Sequence, residues 1–230
     1  MVLMKKKDKS KAKFAEGLSF QKLFSIFILA SIFGAIYESA YGYIRMFLIG
    51  EEPRWIIHRG VIYGSLNIIY GFGAVIMCIF LINKERPRWK TFLYAALLGG
   101  ATEFFVSLGQ EKFMGTISWN YSDKFLNIGG RTTVPYMLFW GLLGILFVDV
   151  IYPYIASLIE KIPPKFGTIF INVLVVLFTV DCIISWTALY RQQQRHNNIP
   201  PKTKIGELYD KYYTDEFLHK YFDNMVKVNK

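Results

Sequence analysis

Residues 28–44 read ILASIFGAIYESAYGYI, and every position is apolar, small or aromatic except Glu38, which has no adjacent charge to neutralise it. The apolar run starts after Lys22 and reaches Ile44. That is long enough to cross a hydrocarbon core, which takes about 20 residues. A carboxylate at mid-bilayer costs about 2.5–3.5 kcal/mol on insertion scales, so it needs a partner or a proton. Working outward, the question for the rest of the chain is what receives Glu38.

The 230 residues are 53% hydrophobic, 17% aromatic and only 19% charged, and the apolar residues come in blocks rather than alternating with polar ones. This composition excludes an ordinary soluble domain. The expected fold is all-α, a polytopic membrane helix bundle of about five transmembrane helices with structured outer loops. Spans are expected at about 23–44, 64–82, 91–110, 135–158 and 166–189. They divide the chain into a basic cytoplasmic tail at 1–17, a transmembrane domain at 18–190 and an amphipathic C-terminal tail at 191–230. The first span is too long for a signal peptide and lacks a small-residue cleavage site, so it reads as a permanent anchor.

Charge orients the bundle. Six lysines between Lys5 and Lys13, the run Lys84, Arg86, Arg88, Lys90 and the pair Lys161, Lys165 fall on one side, while the two opposite loops carry three basic residues each. The amino terminus is then cytoplasmic, in a multi-pass protein of the cell membrane. Five crossings put the tail outside, although its eight Lys and Arg from Arg191 onward work against that side. The net charge of +10 comes largely from the lysine-rich start. Contact with anionic membrane lipids accounts for it, and a nucleic-acid partner is not indicated. Cys78 and Cys182 lie inside apolar runs and read as packing residues, without a disulfide, metal or cofactor signature.

Helical spacing puts Ser31, Gly34, Ala35, Tyr41 and Gly42 on the stripe of Glu38, and Gly99, Gly100, Ser107 and Gln110 on the stripe of Glu103. Small residues let helices approach, so both glutamates sit on faces suited to protein rather than lipid. The first outer loop delivers His58, Arg59, Tyr63, Asn67 and Tyr70 as the chain re-enters the membrane. The second delivers Trp119, Asn120, Tyr121, Asn127 and Arg131 ahead of Trp140. With odd spans running outward, Glu38, Glu103 and Asp181 lie in the outer halves. Two readings follow: Glu38 with Arg59 and Glu103 with Arg131 are structural ion pairs, or these groups form a substrate-binding pocket. His58 alone reads as a surface residue. Asp149 lies near a cytoplasmic end, where a solvated head group explains it.

Two segments also read alike. Gly34 to Glu38 leads to Arg59 and Tyr70-Gly71, and Gly99 to Glu103 leads to Arg131 and Trp140-Gly141. The pattern suggests a two-span repeat of parallel orientation with a site between its halves. The Gly-rich outer segments can dip into the membrane where they line a cavity.

On Gly34 to Glu38, HRGVIYG (58–64), IYGFG (69–73), the Glu103 segment, SWNYSDKFLNIGGR (118–131), Phe139-Trp140-Gly141 and the tail YDKYYTDEFLHKYFDNM (209–225), the chain resembles the CmpB-like family labelled ABC-transporter type IV, small membrane proteins of Gram-positive type bacteria. The resemblance implies a permease role. Two positions depart from the family pattern: Asn120 stands where an aspartate is usual, and Ser65 follows Gly64 in place of proline. Asn120 cannot act as an acid or carboxylate ligand. No G-x-x-x-x-G-K-[ST] is present, so ATP binding falls to a separate ATPase subunit. Five spans are few for a transport path, which implies a partner chain or a homo-oligomer. The permease reading gives arginines to an anionic head group, glutamates to a cation or proton, and aromatics to stacking. Its alternatives are an accessory subunit docking through the tail helix around Phe217, Tyr221 and Met225, and an outer-leaflet lipid-modifying enzyme. HExxH, GxSxG and CxxC are all absent, which weighs against the enzyme.

Overall fold

The computed structural model describes residues 14–228. The lysine run from Lys5 to Lys13 lies outside the described residues. Helix α1 spans Phe20–Leu48, α2 Ile68–Leu81, α3 Arg88–Met114, α4 Val134–Leu146, α5 Tyr152–Glu160 and α6 Pro164–His196. A π-helical turn at Phe147–Ile151 joins α4 to α5 into one rod. Among the described residues four helices are long and apolar enough to cross a membrane: α1, α3, the α4–α5 rod and α6. The chain is thus an all-α membrane bundle, in keeping with the expected class.

The second expected span, 64–82, is corrected: its helix, α2, has 14 residues. At 1.5 Å per residue that is about 21 Å, short of a hydrocarbon core. The segment before it does not coil but runs as irregular backbone against α1 and α6, where the Asn67 N–H donates to the Ser31 carbonyl at 3.0 Å. Irregular backbone at that depth is permitted because protein covers it. Buried Val61 and Ile62 pack there, and the Ile62 N–H donates to Ser185 Oγ at 2.8 Å. Asp181 accepts the Tyr63 N–H at 3.1 Å and the Ser185 hydroxyl at 2.9 Å. Asp181 therefore anchors the entering loop. Asp181→Ala leaves those two donors without their carboxylate, and thermal unfolding in detergent should show a loss of about 1–3 kcal/mol.

Close helix approach follows from glycine. A Cβ on Gly34 would stand 2.3 Å from the Tyr70 ring, and one on Gly99 2.2 Å from Trp140. A Cβ on Gly71 would stand 2.7 Å from Phe27, and one on Gly141 2.7 Å from Phe92. The contacts of the α1–α2 pair thus recur in the α3–α4 pair at corresponding positions, and Tyr70 meets Trp140 where the pairs join, with ring centroids 6.1 Å apart. The main core, around Ile26, Met77, Cys78, Leu81, Ala95 and Phe147, takes in Trp140 and packs against Tyr70. Both cysteines are buried and free, as packing residues would be. Lys22 is buried and pairs with Glu160 at the amino-terminal end of α1. Arg88 pairs with Asp149 at 3.0 Å, a partner that the sequence did not suggest. Ile32, Phe33, Ile36, Ile169, Val173 and Val176 are exposed around the outside, as lipid-facing residues would be.

The end of the bundle opposite Lys22 is capped by loops and by the tail. Gly115 ends α3 in a left-handed conformation at φ 65° and lies so close to Gln193 that a Cβ would come within 2.4 Å. The hairpin 116–133 follows, with short strands β1 (Thr116–Ile117), β2 (Asn127–Ile128) and β3 (Thr132–Thr133). Strands β2 and β3 pair antiparallel, and Thr133 then caps α4 by accepting the Tyr136 N–H. The tail forms α7 (Lys204–Tyr212) and α8 (Asp215–Tyr221), each capped by a threonine, Thr203 and Thr214. It ends in β4 (Val226–Lys227), which pairs antiparallel with β1. Leu218 and Phe222 bury themselves against Ile62, Ala188 and Leu189. This places the tail on the same face as both loops.

Candidate functional site

Glu38 sits one turn beyond Gly34 on α1 and meets α2 at its first turn. Asn67 Nδ2 donates to Glu38 Oε2 at 2.9 Å, and the Tyr70 hydroxyl donates to Oε1 at 3.2 Å. Glu103 occupies the corresponding position on α3. The Thr132 hydroxyl donates to its Oε2 at 2.6 Å, and the Trp140 indole lies near the same carboxylate. Both acids are held by neutral donors. The expected pairs, Glu38 with Arg59 and Glu103 with Arg131, do not form. Arg131 instead turns back along α3 to pair with Glu111, hydrogen-bonds Ser107 at 3.0 Å and lies over the Phe104 ring. Arg59 is drawn to the tail, its guanidinium 5.2 Å from the centre of the Tyr221 ring.

The two acids share one neighbourhood. Tyr121 lies in the hairpin with its ring 4.9 Å from that of Tyr136. Its phenol is pushed above its ordinary value, first by burial and then by the negative fields of Glu103, Tyr136 and Glu38. The Tyr70 ring, whose hydroxyl bonds Glu38, stands 6.1 Å from that of Trp140.

Beside this cluster a groove of about 660 Å³ opens between α2, α3 and α6. Ile68, Phe72, Phe105, Phe113, Ile183 and Trp186 supply much of its apolar wall. Its polar wall contains Glu38, Arg59, Asn67 and Trp119 from the expected set, together with His58. It also contains Gln110, Ser118 and Asn224, which sequence reasoning missed as site residues. Gln110 and Ser118 hydrogen-bond each other at 2.9–3.0 Å. Asn224 and Met225 reach the groove from the tail. No local signal could have placed them there, since the β1–β4 pairing that does so spans about half the chain.

The remaining expected residues stand behind or above the groove. Asn120 accepts the Ser122 N–H and hydroxyl, and Asn127 bridges Ser122, Lys124 and Gly130, so both side chains are spent on the shape of the hairpin. Trp119 donates its indole N–H to the Arg131 carbonyl at 2.8 Å, which fixes its ring at the groove wall. Tyr63 carries a hydroxyl 2.9 Å from that of Tyr213 in the tail. The structure therefore brings Glu38, Arg59, Asn67 and Trp119 to the groove lining, while Tyr70, Glu103, Tyr121 and Trp140 do not line it.

Residues 25–186, which contain both glutamates, both loops and all of the helix pairs, match the model of the family described as "Putative ABC-transporter type IV". The chain belongs to this family. No curated protein and no solved structure matches it. Membership agrees with the four spanning helices, and together they describe a multi-pass, transporter-like membrane protein. The family match ends before the tail, so Asn224, Tyr221 and Asp223 lie outside the matched residues.

Proposed function

We propose that the chain is a permease-like subunit of the cell membrane, whose groove opens to the outer leaflet and recognises a small or lipid-like, anionic substrate. The observation that carries this reading is the groove itself: about 660 Å³, walled mainly by apolar side chains, with a few polar groups among them and exposed apolar flanking faces. Such a combination suits an amphipathic molecule entering from the side. Arg59 and Trp119 meet its polar part. Glu38, bonded by Tyr70, takes a cation or a proton as the substrate moves. Energy comes from a separate ATPase subunit, because the chain has no phosphate-binding loop, and a second copy of the chain completes the path.

The test is ATP hydrolysis by whatever complex copurifies with the full chain from its source membranes in mild detergent. An ATPase subunit should copurify, and total lipid extract should stimulate its hydrolysis. The double variant Glu38→Gln, Glu103→Gln should hold hydrolysis at its unstimulated rate. Lipid-independent hydrolysis, or stimulation unchanged in the double variant, would overturn the reading.

A further inference from the structure

Among the described residues three buried side-chain atoms lack a hydrogen-bond partner: His58 Nδ1, Arg59 Nε and Asn224 Oδ1. All three are sealed from a water-sized molecule, so nothing in the groove reaches them as they stand, although their residues belong to its lining. They mark a seam. His58 and Arg59 lie on the entering loop and Asn224 on the last stretch of the tail, and the packing of one against the other shuts water out without supplying partners. Sealing polar atoms in this way is uncommon, and it costs free energy that water returns once the seam parts.

The tail is held unequally along its length. Arg191 and Arg195 hold Asp210 on α7 at 2.8 Å, and Arg195 holds Asp215 at the start of α8 at 3.0 Å. Leu218 and Phe222 are 1% and 2% exposed. Beyond Phe222 the helix has ended, and the chain turns at Asp223 and Asn224. There the contacts lengthen. Asp223 Oδ1 stands 3.5 Å from His58 Nδ1, the Asn224 amide donates to the Ser118 carbonyl at 3.5 Å, and the Lys227 ammonium donates to the His196 carbonyl at 3.5 Å. That length is the limit of a hydrogen bond. The backbone is tied by the two-residue pairing of β4 with β1 and by the Val228 N–H, which donates to the Gly115 carbonyl at 3.0 Å. Asn224 and Met225 bring the tail to the groove lining, where Ser118 and Trp119 of the hairpin also stand. The loosely held stretch is therefore the one that walls the groove.

We propose that residues 223–228 form a gate on the groove. Docked, the gate separates the groove from the water beyond the loop face. Released, it swings about Phe222 while α7 and α8 stay clasped, hydrates the three sealed atoms and opens an aqueous way into the groove. This rests on the groove being the substrate's place and gives that site its regulation: the polar end of an amphipathic molecule passes the gate while its apolar part stays between α2, α3 and α6.

Cys182 is a native reporter, because it lines the groove and the other cysteine, Cys78, does not. The full chain carrying Cys78→Ala is placed in lipid nanodiscs and treated with a sulfonated maleimide, an anion excluded from the bilayer, or with neutral N-ethylmaleimide, which also enters through lipid. Modification of the Cys182 peptide is read by mass spectrometry. Ending the chain after Phe222 should speed the charged reagent about tenfold or more and leave trypsin cleavage at Lys204 and Lys211 unchanged. Ile117→Cys combined with Val226→Cys joins a facing pair of the β1–β4 ladder, where the spacing suits a disulfide. Oxidised, this variant should slow the charged reagent about tenfold or more, with the rate restored on reduction and N-ethylmaleimide unaffected. Asn224→Leu removes one sealed oxygen at similar shape and should slow the charged reagent about threefold. A charged reagent indifferent to both the shortened chain and the disulfide would overturn the gate. So would equal slowing of both reagents by the disulfide, faster labelling in Asn224→Leu, or trypsin cleavage of the shortened chain as fast as in Arg191→Met, since the tail would then move as one piece. Labelling needs no substrate, so a missing gate shows here and a missing transport role shows in the hydrolysis assay.

Discussion

Arg191→Met is expected to release the C-terminal segment from the loop face and raise the rate of trypsin cleavage at Lys204, Lys211 and Lys220 by about 100-fold or more. Arg191 is 5% exposed near the end of α6. Its Nε and Nη2 bond both oxygens of Asp210 at 2.8 Å, and its Nη1 reaches Gln194 and the Ile199 carbonyl at 2.9 Å. Arg195 adds bonds to Asp210, Asp215 and the Tyr213 carbonyl. Removing one member of a buried pair costs about 3–5 kcal/mol, and because Asp210 keeps its bond from Arg195 the loss falls at the lower bound. Tenfold per 1.4 kcal/mol converts that into the cleavage rate. Met keeps much of the apolar stem, so the effect reports the guanidinium. The Asp210 carboxyl is held below its ordinary value of 3.8, chiefly by its hydrogen bonds from Arg191. A depressed carboxyl contributes its stability above that value and loses it as pH falls through the lower folded value. Docking should therefore hold across the neutral range and weaken only below about pH 3.8. Unchanged cleavage in Arg191→Met would mean that the Leu218 and Phe222 contacts hold the tail without the clasp.

Gly34→Val and Gly99→Val should each destabilise the bundle by about 1–3 kcal/mol, read as a fall in unfolding temperature in detergent. Their added carbons would meet the Tyr70 and Trp140 rings at 2.3 and 2.2 Å, which forces α2 from α1 or α4 from α3. The same displacement pulls Tyr70 from Glu38 and Trp140 from Glu103. The two substitutions should thus resemble each other, as corresponding positions in two similar helix pairs. Gly42→Ala is the control, since nothing lies within 4 Å of its added carbon. It should be neutral or slightly stabilising through helix propensity. A Gly34→Val protein as stable as Gly42→Ala would show that the pairs pack loosely.

Much of the site was legible because the deciding signals are local. Glu38 and Glu103 each lie four residues beyond a glycine, one helical turn, and that spacing alone turns the acid toward the helix that the glycine admits. Asn67 and Tyr70 were readable as partners because they enter on the next element. The arginines misled for a physical reason. A guanidinium on a long stem takes whichever acid or ring lies within reach, and Glu111, two turns along α3 from Glu103, was the nearer choice for Arg131. The loop brought Thr132, the neighbour of Arg131, to Glu103 instead. The shortness of α2 was hidden because an apolar run at 64–82 looks the same whether it coils or lies extended against α1.

The amino-acid sequence determined by itself that this is an apolar helical bundle and that two acids turn inward on paired, similar helices. Those properties depend on composition and on periods of a few residues, which any local stretch displays. Only the tertiary structure decided which donors receive the acids, that the tail folds back over the loop face, and that Asn224 joins His58 and Arg59 at one cavity. Such pairings compete among many polar groups of similar chemistry, and distances of a few ångströms between segments far apart along the chain choose among them.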